Sequence, residues 1–148
     1  MKRAIIGHAA DKFTDHTESL AKEAIRDILK PEYILVSGGC HLGGIHIWAE
    51  EIAKELGCYD KDHIHHPKIR RWEGGYKQRN LRIAEDAEEV YVIVVDKYPP
   101  NYTGRRFNIC YHCKVDTHIK SGACWTALKA IRLYNKDGYW VIISGNEE

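Results

Sequence analysis

Hydrophobic positions along the chain follow two periods, and the period switches repeatedly from one end to the other. Residues 3–7 form a short apolar run that closes on Gly7 and reads as a strand. Polar residues at 15–18 then offer a capped helix start, with Leu20, Ala21, Ala24, Ile25 and Ile28 inward and a stop before Pro31. Residues 33–36 are wholly apolar and predict a buried strand, followed at once by Ser37, Gly38 and Gly39. From Gly44 a second helix places Ile45, Trp48, Ala49, Ile52, Ala53 and Leu56 on one face, and Gly57 ends it. Residues 62–66 predict a short strand closed by Pro67, 76–86 a third helix, and 89–96 the strongest strand of the chain. After an irregular stretch with Pro99, Pro100 and Gly104, a helix over 123–134 and a strand over 139–143 complete the pattern.

Apolar strands separated by amphipathic helices predict a parallel sheet covered on both faces. The fold class expected is therefore α/β: a doubly wound, Rossmann-like three-layer sandwich with a mostly parallel sheet of about five strands. Ligands in such sheets sit beyond the carboxyl ends of the strands. With 148 residues, one domain spanning 1–148 is expected.

Charge adds an exclusion. Lys and Arg number 22 against 21 Asp and Glu, which argues against a surface broadly dedicated to nucleic acid or an acidic membrane. The longest apolar run, residues 90–95, is too short to span a bilayer, and no secretory leader is read, so a cytoplasmic protein is expected. Five cysteines, an odd number, speak against a secreted disulfide framework.

Candidate chemistry starts in the loop Ser37, Gly38, Gly39, Cys40, His41, Leu42, Gly43 and Gly44, between a buried strand and a helix. Its glycines let backbone approach a ligand, and the following helix directs free N–H groups and a partial positive charge at the same spot. Anion binding is the expectation; a tight turn that binds nothing is the alternative. No Lys-Ser/Thr follows the glycines, so the loop is no Walker A motif, and the G-x-G-x-x-G spacing of a dinucleotide site is absent. Gly7 and His8 close the first strand at the same sheet end. Arg79 offers a planar fork to a phosphate, beside Asn80, while Trp72 or Tyr76 is a candidate to stack on a base. Ser121, Gly122, Ala123, Cys124 and Thr126 repeat the turn-into-helix geometry, so one phosphate could lie between two helix starts.

These motifs, in this order, resemble the SLOG superfamily, the Rossmann-like fold of LONELY GUY-type hydrolases, DprA and YspA/YpsA-like proteins. Gly7-His8-Ala9 is similar to that family's first strand end, and Ser37-Gly38-Gly39-Cys40 through Ala49 to its first glycine motif. Arg79-Asn80 before Asp86-Ala87-Glu88-Glu89-Val90, and the turn from Gly122 to Thr126, are similar to its remaining motifs. The resemblance implies a nucleotide or related ligand in the strand-end crevice, and in some branches hydrolysis of the N-glycosidic bond of a nucleoside monophosphate. It also implies Arg79 as the catalytic arginine and a homo-oligomeric assembly. The family's catalytic Glu falls on Lys129, which leaves Glu51, or Glu50, as the carboxylate a hydrolase would need. A non-catalytic nucleotide sensor is the alternative.

Outside this pattern lie Cys110, Cys113, His118 and Cys124, spaced C-x2-C-x4-H-x5-C. Cysteines with two residues between them suit a tetrahedral zinc ion, and similar knuckles bind single-stranded RNA. Zinc, an RNA-binding module, a redox-sensitive pair and plain packing all remain open at this point. His63 and His65 share one face of their expected strand, as metal ligands, crevice residues or surface groups.

Overall fold

The computed structural model describes residues 1–146. Its elements are β1 (Lys2–Gly7), α1 (Asp15–Ile28), β2 (Ile34–Val36), α2 (Ile45–Leu56), α3 (Lys77–Asp86), β3 (Glu89–Val95), α4 (Gly122–Tyr134) and β4 (Asp137–Ile143). The strands form one parallel sheet in the order β2-β1-β3-β4.

Side chains alternate across the central strands and so feed two separate cores. Ile5, Ile93 and Val95 pack with Ala21, Ile25, Ala49 and Ile52 of α1 and α2. Ala4, Ile6, Val90, Val92 and Val94 pack with Ile83, Ala84, Ala127 and Ala130 of α3 and α4. Burial on both sides is why β3 reads as an unbroken apolar run. No helix among the described residues is long and apolar enough to cross a membrane.

Local chemistry sets the element ends. Thr14 caps α1 reciprocally with Thr17, one residue ahead of the polar cluster that marks the start in the sequence. Gly57 closes α2 with a left-handed φ of 76°.

Among the described residues the sheet has four strands, not the expected five. Over 62–66 only Ile64 joins the ladder, in one parallel bridge with Ser37 beyond the end of β2. The Asp60 carboxylate accepts the Asp62 N–H and winds Lys61–His63 into a 3-10 turn, which uses up the residues a strand would need. His63 and His65 then both hydrogen-bond Oδ2 of Asp86, at 2.7 and 2.8 Å.

The chain leaves β1 toward α1 on one face and leaves β3 toward α4 on the other. Their carboxyl ends therefore diverge, and the sheet opens a crevice between them. Residues 96–121, which follow β3, contain no helix or strand and cover one side of that opening.

Candidate functional site

At the divergence lies a cavity of about 460 Å³. Lys12, Arg79, Arg105 and Lys120 bring positive charge to it, and no Asp or Glu is among its described lining residues. Trp72, Tyr76, Tyr98, Tyr102 and Phe107 supply aromatic surface, and the start of α4 contributes Ser121, Gly122, Ala123 and Thr126. A wider depression of about 560 Å³ sits at the opposite, amino end of β2, between residues 31–34 and 57–61. It is shallow and mixes Glu32 and Asp60 with Lys61, so the cavity at the carboxyl ends is the better candidate.

Of the two helix starts, α4 faces the cavity. Ser121 caps the helix by accepting the Ala123 N–H at 3.2 Å, and a Cβ at Gly122 would meet no atom within 4 Å. The backbone there is open to a ligand, at the positive end of a helix.

The start of α2 has internal partners instead. The Ile45 N–H donates to the His8 carbonyl at 3.1 Å, and a Cβ at Gly44 would lie 2.4 Å from that same oxygen. Glu50 is buried and takes the Gly39 N–H at 3.1 Å and the Ser37 hydroxyl at 2.9 Å on one carboxylate oxygen. The glycine loop thus holds an anion that belongs to the chain itself. Gly38 is bare because Arg79 and His46 press on it: a Cβ would lie 2.5 Å from Nη1 of Arg79. Gly43 is left-handed, with φ at +73°. From this loop and the first turn of α2, only Cys40, Leu42 and His46 line the main cavity. His41 opens on an adjoining hollow of about 200 Å³, shared with Gly39, Cys40, His66, Tyr76 and Arg79.

Arg79 is buried, donating from Nη1 to the Gly38 carbonyl and from Nε to Oδ1 of Asn80, each at 2.7 Å. Its guanidinium lies 5.5 Å from the centre of the Tyr76 ring, and burial lowers its pKa. His46 beside it is held neutral, its pKa depressed to about 3 by burial and by the Arg79 charge. Nδ1 of His46 is buried without a hydrogen-bonding partner among the described residues. That atom lies against Gly38, where a Cβ would come within 2.9 Å of it.

His8 is also neutral, with a pKa near 3 that burial imposes. Both its nitrogens are engaged: Nδ1 accepts the Val95 N–H at 3.1 Å, and Nε2 donates to the Lys120 carbonyl at 3.0 Å. His8 therefore ties the ends of β1 and β3 to the cavity wall, and Gly7 lines the floor beside it. Trp72 is half exposed and packs edge-on against Trp125, with ring centres 4.8 Å apart. Glu51 is exposed on α2 and lies outside the cavity lining, while Lys129 reaches over the Trp125 ring.

A second constellation abuts the start of α4. Donor atoms of Cys110, Cys113, His118 and Cys124 lie within 4.8 Å of one another, a group that could hold a metal ion. Cys110, His118 and Cys124 are buried. Nδ1 of His118 donates to the Ile119 carbonyl at 2.8 Å, which leaves Nε2 with a free lone pair. The Trp140 indole N–H donates to Sγ of Cys124 at 3.4 Å. Lys114 takes a left-handed φ of 59° just after Cys113, and its N–H returns to the Cys110 carbonyl at 2.8 Å. Burial pushes the Cys113 and Cys124 thiols up. At Cys110 the amides of Cys113, Ser121 and His112 outweigh burial and pull the thiol down.

Sequence reasoning missed Lys12, His46, Tyr98, Tyr102, Arg105, Phe107 and Lys120. Most lie in the aperiodic 96–121 stretch, where the density of aromatic and basic residues between Tyr98 and Phe107 was the available signal. Comparisons with protein-family models, curated proteins and solved structures find no match for the chain.

Proposed function

We propose that the chain binds a nucleoside phosphate, or a chemically similar small phosphate, in the crevice between the ends of β1 and β3. The observation that carries this reading is the cavity lining: converging cations, aromatic rings and an open helix start, with no carboxylate among them. An anion there meets Lys12, Arg105, Lys120 and the Gly122 amide, while Trp72, Tyr98 or Tyr102 can stack on a planar base. Membership of the SLOG superfamily is part of the same proposal. Hydrolysis of the N-glycosidic bond is not favoured, because an oxocarbenium-like centre calls for a nearby carboxylate. Glu50 is committed to Ser37 and Gly39, and Glu51 is exposed and outside the described cavity lining. Binding without chemistry, as in a nucleotide sensor, is the reading adopted.

Zinc is the metal proposed for the Cys110, Cys113, His118 and Cys124 group. Three thiolates and one imidazole form a closed structural donor set with no position left for catalysis.

Calorimetry with adenosine 5′-monophosphate, inorganic phosphate and adenosine tests the main reading. The monophosphate should bind saturably, adenosine far more weakly, and Arg105→Ala and Lys120→Ala should each weaken binding about tenfold to a hundredfold. Equal affinity for adenosine and its monophosphate would refute phosphate recognition. Release of free adenine would move the reading to a hydrolase.

A further inference from the structure

We infer that a zinc ion at Cys110, Cys113, His118 and Cys124 is the anchor that holds one wall of the crevice in place. Residues 101–117 include Tyr102, Arg105 and Phe107 of that wall, and Cys110 is the only one of them that is buried. A stretch with so little apolar burial cannot offset the entropy of its own ordering. Its hydrogen bonds run mostly within the stretch or to the residues just before it: the Tyr98 hydroxyl accepts the Phe107 N–H at 2.8 Å, Arg106 donates to the Tyr102 carbonyl at 3.0 Å, and the Cys110 N–H donates to the Val115 carbonyl at 2.9 Å. A metal ion binds such a stretch to the sheet by ligand bonds, in place of a hydrophobic core.

The surroundings of the donors fit this role. A tetrahedral zinc ion with bonds of about 2.3 Å sets its sulfurs about 3.8 Å apart, so donors already within 4.8 Å need only a small contraction. Metal-bound imidazoles characteristically donate their second N–H to a carbonyl, and His118 already does so to Ile119. The Trp140 N–H directed at Cys124 suits a thiolate carrying excess charge. The left-handed Lys114 lets the chain turn back after Cys113, which places both sulfurs of the C-x2-C pair toward His118.

The four ligands also tie the loop to two fixed elements. Cys124 belongs to the first turn of α4, the turn that presents Gly122 and Ala123 to the cavity. His118 immediately precedes Ile119, whose N–H pairs with the Val95 carbonyl at the end of β3. One ion thereby joins the loop, the helix start and the central strand. The functional consequence rests on the phosphate-binding reading: removal of the metal loosens the wall bearing Arg105 and Phe107 and weakens the ligand. By linkage, the ligand also tightens the metal.

The test is metal analysis and amide hydrogen exchange on the full chain purified under reducing conditions, before and after a zinc chelator. One zinc per chain is expected, with Cys58→Ser retaining it and Cys110→Ser or His118→Gln losing it. Chelation should raise exchange at least tenfold across residues 101–121 while amides of β1, β3 and α1 stay protected. No stoichiometric zinc, and none taken up on titration, overturns the inference; so does metal binding that leaves exchange over 101–121 unchanged. Adenosine monophosphate titrated into both forms separates the two proposals. If exchange responds to zinc but neither form binds the nucleotide, the anchor stands and the phosphate reading fails.

Discussion

Replacing His46 by Gln isolates one titration in the crevice and gives a stability change that can be worked in advance. The imidazole has a pKa near 3 in the folded chain, against 6.5 as its ordinary value. Because folding depresses it, the unfolded chain takes up a proton as pH falls below about 6.5 while the folded chain does not, so folding loses stability on acidification. From pH 8 to pH 5 the linkage amounts to about 2 kcal/mol for this one side chain. His46→Gln lacks that proton, and any metal lost in acid is lost from both proteins, so the difference between them reports His46 alone. With a urea slope of about 2 kcal/mol per molar, the wild-type midpoint should fall about 1 M further than that of the variant. Equal shifts in both proteins would refute the account. His46 would then take up its proton in the folded chain as readily as in the unfolded one, and burial would not hold it neutral.

Other side chains make independent predictions. Asp86 is held near pKa 2: burial alone would raise it, but hydrogen bonds from His63, His65 and Lys2 prevail. Its contribution is present above pH 4 and lost as pH falls toward 2, so Asp86→Asn should cost about 1–2 kcal/mol at pH 7 by urea unfolding and little near pH 2. Gly39→Val should lower the melting temperature, since φ is +55° and a Cβ would lie 2.3 Å from the His66 ring. The same variant should leave phosphate affinity nearly intact, because the Gly39 N–H serves Glu50; lost affinity without lost stability would place the anion in the glycine loop. Trp140→Phe removes the N–H on Cys124 and should weaken zinc about tenfold in a competition with a chelating dye, whereas an unchanged affinity would make that contact incidental.

What the sequence disclosed depended on whether a feature was periodic. The helices carry apolar residues three and four apart, and β3 is apolar on both faces, so the α/β layering was readable. Residues 62–66 misled because two histidines at alternate positions imitate strand periodicity, while Asp60 starts a turn and Asp86 collects both rings. The glycines after β2 suggested room for a ligand, but Arg79, His46, His66 and the β1 exit lie against Gly38, Gly39 and Gly44. Ser121, Gly122 and Ala123 do line the cavity, and the spacing of Cys110, Cys113, His118 and Cys124 brings their donors together. The wall formed by Tyr98, Tyr102, Arg105 and Phe107 has no repeat to detect, since an irregular segment is placed by tertiary contacts alone.

The central claim is that a phosphate rests on the first turn of α4. Titration of ¹⁵N-labelled protein with adenosine 5′-monophosphate tests it residue by residue. The account predicts the largest amide shifts at Gly122, Ala123 and Lys120, with smaller ones at Arg105 and little change at Gly39 and Gly44. Shifts centred on Gly39 and Gly44, or none in either turn, would contradict it.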